Sequence, residues 1–194
     1  MPDDCRGLQT RVRQAIDERT YLCFQGGGTK SFYGREPRGQ LLETLSHSGI
    51  ISYEPTELVL TARCGTPLTV IEETLANEGQ FLGFEPPSFD GNATLGGAIA
   101  TGLSGPRRPF AGAVRDFVLG CRIINGRGQI LSFGGQVMKN VAGYDLSRLM
   151  AGSLGTLGLI LDVSLKVLPS PEAEMTLRQE MPAGQGIAKM NQWL

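Results

Sequence analysis

The chain has 194 residues, with 18 lysines and arginines against 19 aspartates and glutamates and a formal net charge of -1. That balance gives no long-range pull on nucleic acid or an anionic bilayer, so any bound anion must be held by local geometry. Glycine is the outlier at 27 residues, roughly twice the usual ~7%, yet it follows no fixed period and apolar residues fill the intervals, which excludes collagen-like and disordered chains.

In chain order, Leu8, Val12, Ala15 and Ile16 recur at helical spacing and predict a short amphipathic helix from Leu8 to Arg19. Tyr21 to Phe24 reads as a buried strand that runs into Gly26-Gly27-Gly28, and residues 40–53 read as two short strands around a Ser/Gly turn. A strand follows from Glu57 to Arg63. A helix then has Thr66 as its expected N-cap, Pro67 at its first position, and Leu68, Ile71 and Leu75 on one face. Residues 83–113 hold little periodic pattern beyond a short helix from Thr94 to Thr101. Asn125-Gly126-Arg127-Gly128 predicts a hairpin between FVLGCRII and QILSF, because Asn-Gly accepts the positive φ of tight turns. Asp145 to Ala151 is expected to form a helical turn, Gly158 to Leu168 a long strand, and residues 172–194 the start of a further strand and helix.

Cys5, Cys23, Cys64 and Cys121 are scattered, no CxxC occurs and His47 is the lone histidine, so neither zinc nor an iron–sulfur cluster is expected on this chain. The amino terminus MPDDCRGLQT lacks an apolar signal core, and no run reaches the ~18 apolar residues of a membrane-spanning helix. The expectation is a soluble cytoplasmic protein.

Two glycine-dense stretches, FQGGGTKSFYG and TLGGAIATGLSG, carry the chemistry. Consecutive backbone N–H groups in a glycine turn form a nest that holds phosphate oxygens without formal charge. Gly26, Gly27, Gly28 and Thr29 supply one, with the Ser31 hydroxyl and Lys30 beside it. The spacing fits neither the Walker nor the Rossmann pattern, and a plain strand-to-loop turn is the alternative. In the second stretch, Thr94 caps a helix whose first turn holds Gly96 and Gly97, which predicts N–H groups open at its positive end. Ala98, Ala100 and Thr101 keep that face low, and Ser104 and Gly105 extend the loop. Two such loops suit a diphosphate better than a single phosphate. Ala142, Gly143, Gly155 and Gly158 are small enough to admit a planar ring or an adenine, or to make tight sheet connections; Arg115 and Asp116 pair with one another or with solvent.

Taken together, FQGGGTKSFYG, YEPTELVLTARCGTPL, FEPPSFDGNATLGGAIATGLSGPRRPFAGAVRDFVLG and VMKNVAGYDLSRLMAGSLGTLGLI resemble the PCMH-type FAD-binding domain of the vanillyl-alcohol-oxidase-like flavoproteins, over about residues 8 to 170. Within that family the likeness is to the small flavin-binding subunits of bacterial glycolate oxidases. The resemblance implies an α+β fold with two lobes, residues 1–55 and 56–171, the larger built on a mixed or largely antiparallel sheet, and residues 172–194 beginning an incomplete C-terminal domain or tail. It implies that Gly26 to Ser31 bind the FAD diphosphate. Pro87, Gly91, Thr94, Gly96, Gly97, Thr101, Ser104 and Gly105 are implied to contact the flavin, and Asp116, Gly155, Gly158 and Ile160 to add later cofactor contacts.

Several members of the family attach flavin through a histidine or cysteine in these loops. Neither loop here has a histidine and Cys23 precedes the first, so non-covalent FAD is expected, with His47 a surface or turn residue. The implied reaction is oxidation of a small 2-hydroxy acid, glycolate to glyoxylate, in a complex with a larger FAD-bearing subunit and an iron–sulfur subunit, which would be the only route to a membrane. Lactate or another alcohol is an alternative substrate, and a non-catalytic flavin-binding assembly module an alternative role. No residue is assigned as catalytic: Asp145 suits a helix cap, Lys139 a solvated position, and Tyr144 has no assigned role. Phosphoryl transfer lacks the metal-binding carboxylates or Walker lysine that it needs.

Overall fold

The computed structural model describes residues 4–89, 91–135 and 144–193. Helix α1 (Cys5–Asp17) turns Cys5, Leu8, Val12 and Ala15 inward, as its apolar spacing requires. Strand β1 (Leu22–Gln25) pairs in parallel with β2 (Gln40–Glu43). A parallel pair cannot close through a tight hairpin and needs a crossover. The first glycine stretch lies in that crossover, directly after β1.

Strands β3 (Ile50–Glu54) and β4 (Val59–Arg63) form a hairpin through a helical turn at Pro55–Glu57. Helix α2 (Leu68–Ala76) buries Leu68, Ile71 and Leu75 before the short β5 (Gln80–Phe81). Its expected start shifts by one residue, with Pro67 at the N-cap. The Thr66 hydroxyl is engaged elsewhere: it accepts from the Gly49 N–H at 2.8 Å and lies fully buried. Helices α3 (Leu95–Thr101) and α4 (Arg108–Ala111) precede the hairpin of β6 (Val118–Ile124) and β7 (Ile130–Gly134). At its turn, Asn125 Oδ1 accepts from the N–H groups of Arg127 and Gln129 at 2.9 and 3.0 Å. A short α5 (Leu146–Leu149), the long β8 (Leu159–Lys166), β9 (Leu168–Pro169) and α6 (Ala183–Trp193) complete the order.

The larger sheet has five strands in the order β3-β4-β8-β6-β7, all neighbours antiparallel. Strand β8 sits at its centre, buried from Leu159 to Leu165. Two apolar clusters meet this sheet. Leu60, Val163 and Leu165 pack with Leu68 and Ile71 of α2 and Leu95 and Ile99 of α3, while Ile124, Leu159 and Leu161 pack with Leu8 and Val12 of α1 and Leu42 of β2. The α1/β1/β2 unit is thus fastened to the sheet through its own small core. Strand β3, expected in the first lobe, hydrogen-bonds to β4 and belongs to the larger sheet, because strand pairing follows the hairpin and not the distance from the amino terminus.

Residues 172–182 carry neither helix nor strand, so the strand expected there is absent and only the helix forms. Met175, Leu177, Ile187 and Trp193 stay exposed. Lys139, Ala142 and Gly143 lie outside the described residues.

Candidate functional site

The two glycine stretches touch. A Cβ on Gly27 would come within 1.6 Å of the Asn92 carbonyl oxygen, and one on Gly26 within 2.3 Å of the Thr94 hydroxyl. Only residues without a side chain let the crossover loop lie on the approach to α3. The next residue, Gly28, has φ +70, a left-handed conformation following two glycines with negative or extended φ. A left-handed residue in a glycine turn is one element of a backbone nest, in which successive N–H groups point into one concavity. Among the described residues no backbone carbonyl accepts from the N–H groups of Gly26, Gly27, Gly28 or Thr29, whereas Ser31 N–H closes a turn onto the Gly28 oxygen at 3.4 Å.

The second stretch differs from expectation. Thr94 does cap α3, its hydroxyl accepting from the Gly97 N–H at 3.3 Å. The Leu95 N–H, however, donates to the Thr66 carbonyl at 2.9 Å and the Gly96 N–H to the Cys64 carbonyl at 2.8 Å. The helix start is consumed in docking onto the chain that leaves β4, so the open donors are those of the crossover loop. The sequence cannot reveal this, since both acceptors come from residues about thirty positions earlier.

Gly26, Gly27, Gly28, Thr29, Lys30, Ser31, Thr94, Gly96, Gly97, Thr101, Gly155, Gly158 and Ile160 all line one cavity of about 230 Å³. Closed small-molecule sites hold roughly 300–1,000 Å³, so this space encloses only part of a dinucleotide. Tyr33, Thr101 and Leu154 also line a second cavity of about 530 Å³, which Asp116 lines as well. Pro87, Gly91, Ser104 and Gly105 line neither. Gly105 packs on Glu85, and the Ser104 hydroxyl accepts from the Val114 N–H at 2.9 Å. Their place is in the frame of the site. Asp116 accepts from the Ala113 N–H at 2.9 Å, and its pairing with Arg115 is loose, at 3.9 Å.

Among the described residues, the cavity walls have two cations, Lys30 and Arg35, and no carboxylate, which favours a bound anion. Lys30 is buried, with Nζ 3.3 Å from the Thr29 hydroxyl and 5.3 Å above the centre of the Phe89 ring. Phe24, Tyr33, Arg35, Cys64 and Leu154 also line the space and were not singled out from the sequence; a second cation in the same loop was the legible signal for Arg35. Burial pushes the Cys64 thiol up to about 12, with the Asp162 carboxylate adding to the rise and hydrogen bonding opposing it, so the thiol stays protonated and unreactive. Asp145 caps α5, its Oδ1 accepting from the Arg148 N–H at 3.1 Å and the Ser147 hydroxyl at 2.7 Å. Partial burial raises its pKa, but those hydrogen bonds and the Arg148 charge outweigh this and the net shift is downward. His47 lies in a turn as expected, but fully buried rather than at the surface.

The residues of the first cavity therefore fit part of a dinucleotide: a glycine nest with open donors, two cations, and small-residue walls. No helix among the described residues is long and apolar enough to cross a membrane, and among them no His/Cys/Asp/Glu group suits a metal ion.

Comparison with known proteins agrees. The family described as FAD binding domain matches residues 1–134. The chain is 53% identical, over 98% of its length, to the glycolate oxidase subunit GlcE of Escherichia coli strain K12. It is 32% identical over 83% to the glycolate oxidase subunit GlcD of Bacillus subtilis strain 168, and 32% identical over 78% to a D-lactate dehydrogenase of Anaerostipes hadrus. It spans 55%, 34% and 30% of those three proteins respectively. A solved structure of alkyldihydroxyacetonephosphate synthase superposes on 89% of the chain, and 32% of its own, with TM-score 0.70 at 24% identity, a likeness of fold. Glycine nest, cation-lined groove and antiparallel five-stranded sheet thus converge with the family match, and the chain belongs to the FAD binding domain family, with the PCMH-type α+β fold and FAD as its cofactor.

Proposed function

We propose that the chain is the FAD-binding segment of a 2-hydroxy-acid oxidoreductase subunit that takes part in oxidising glycolate to glyoxylate within a multisubunit complex. The observation that carries this reading is the 53% identity to a glycolate oxidase subunit along 98% of the chain. The 32% identity to a differently designated subunit, GlcD, supports a complex holding a second, larger flavin-bearing chain. An iron–sulfur partner that takes the electrons onward belongs to the same reading and rests on the family resemblance.

Bound FAD supplies the two-electron acceptor. The chain's own residues hold it. The N–H groups of residues 26–29 meet the diphosphate oxygens, with Lys30 and Arg35 neutralising their charge. Thr94 fixes the start of α3 against Gly26, so the loop is ordered before the ligand arrives. Gly155, Gly158 and Ile160 give the groove a low wall where the chain enters β8. In this reading the cofactor is held non-covalently: no histidine lines the cavity among the described residues, burial keeps the Cys64 thiol protonated, and Cys23, the other thiol on the lining, sits in β1 ahead of the glycine loop.

A D-lactate substrate is the second reading, favoured by the 32% identity to a D-lactate dehydrogenase. One experiment separates them. The purified chain, with its partner subunits if they co-purify, is examined by visible absorbance before and after glycolate or D-lactate. Flavin bands that bleach with glycolate and not with D-lactate support the first reading, and the reverse supports the second. Bands that neither compound bleaches in the assembled complex point to the non-catalytic role. Acid denaturation is expected to release all of the colour, and flavin retained on the unfolded chain would refute non-covalent binding.

A further inference from the structure

Arg107 and Arg108 are neighbours with opposite commitments. Arg107 is fully engaged: its Nε lies 2.8 Å from Glu85 Oε1, its Nη2 bonds to Glu174, and its guanidinium stacks 5.1 Å from the centre of the Phe81 ring. The side chain of Arg108 makes no hydrogen bond or ion pair among the described residues, and it lines the second cavity. Arg115 lines the same cavity, 3.9 Å from Asp116, whose other oxygen is occupied by the Ala113 N–H. Gly102, Gly112 and Gly152 make up much of the remaining wall, so a ligand there can approach the backbone closely. Among its described residues the cavity has two guanidinium groups and one preoccupied carboxylate, which makes it electropositive, and it shares the lining residues Tyr33, Thr101 and Leu154 with the first cavity.

We propose that Arg108, with Arg115 in a lesser role, recognises the carboxylate of the small 2-hydroxy acid and so makes the second cavity selective for anionic substrates. The inference rests on the 2-hydroxy-acid reading above. A guanidinium donates two parallel N–H groups to a carboxylate, a geometry that a lysine or a neutral donor does not reproduce. Arg107 holds the chain that precedes Arg108 through Glu85 and Glu174 on two separate segments, which fixes where the free guanidinium is presented. Arg115 contributes less because Asp116 already offsets part of its charge.

The probe is oxalate, a dianion of substrate size that cannot be oxidised in the same way, titrated into the FAD-loaded chain or complex and followed by the flavin difference spectrum. Arg108→Gln is expected to weaken oxalate at least tenfold, Arg115→Gln by about threefold, and Arg108→Lys to recover only part of the loss. FAD affinity and thermal midpoint should stay within twofold and two degrees or so of the parent. Ethylene glycol, the neutral counterpart, should bind equally to parent and variant. Oxalate binding unchanged in Arg108→Gln overturns the proposal while leaving the 2-hydroxy-acid reading intact. A parent protein that holds FAD but takes up no oxalate overturns the proposal, whereas the 2-hydroxy-acid reading stands or falls on bleaching by glycolate or D-lactate. Loss of FAD in Arg108→Gln assigns the residue to the cofactor and overturns the proposal as well; should that variant unfold, Arg108→Met and Arg115→Gln must still weaken oxalate selectively, or the idea falls.

Discussion

Gly27 faces the carbonyl oxygen of Asn92 so closely that a Cβ on it would lie 1.6 Å away. The contact binds the crossover loop to the second glycine stretch. Backbone meets backbone here, so no side-chain rotation can relieve the overlap. Gly27→Ala is expected to drive the two stretches apart, with a cost at or above the ~1–3 kcal/mol of ordinary overpacking. Equilibrium titration with FAD should give at least tenfold weaker binding, together with a lower thermal midpoint. An alanine variant with parental affinity would mean that the observed closeness is not needed to hold the cofactor.

Thr94 accepts from the Gly97 N–H and lies against Gly26. Thr94→Ala removes the cap, at roughly 0.5–2 kcal/mol, and leaves space beside the crossover loop. The variant is expected to unfold at lower denaturant and to release FAD faster, and Thr94→Ser, which keeps the hydroxyl, to restore most of both. Restoration of stability without restoration of FAD retention would separate the cap from the loop contact.

Burial raises the thiols of Cys64 and Cys121 from the ordinary 9.0 to about 12, with the Asp162 charge as a further cause in both. The folded state keeps these protons more tightly than the unfolded chain does. The associated stability is fully present below about pH 9 and is lost as pH rises toward 12. Urea midpoints should therefore fall across that window, and the fall should shrink in Cys64→Ala relative to its own value at neutral pH. At pH 8 iodoacetamide should leave both thiols unmodified until the protein unfolds.

Arg122 and Asp162 face each other across β6 and β8, with Nε to Oδ2 at 2.7 Å and the carboxylate buried. Arg122→Met leaves that carboxylate without its guanidinium and is expected to cost about 2–3 kcal/mol, below the full penalty for a buried pair because the arginine is half-exposed. Chemical denaturation of Arg122→Met, Asp162→Asn and the double variant gives the coupling: the double variant should be less destabilised than the sum of the singles.

What the sequence reveals depends on how local the cause is. The Asn125 turn, the Thr94 cap and the spacing of Leu8, Val12 and Ala15 are set by neighbours within a few residues, and each appears where expected. The loss of Thr66 as a cap is decided by a partner 17 residues away, the Gly49 N–H, while the place of β3 follows from its hairpin with β4. The same holds at the site. The glycine nest is legible because consecutive glycines act together. The engagement of the Leu95 and Gly96 N–H groups is not, and neither is the difference between Arg107 and Arg108, which comes from where Glu85 and Glu174 happen to lie.

Strand β8 begins in the wall of the first cavity at Leu159 and Ile160 and then runs on as the middle strand of the sheet. Floor and girder are one piece of polypeptide. A cofactor resting there presses on the very atoms around which the domain is assembled, so tenancy of the groove and integrity of the whole scaffold become a shared quantity, and neither can be tuned without moving the other.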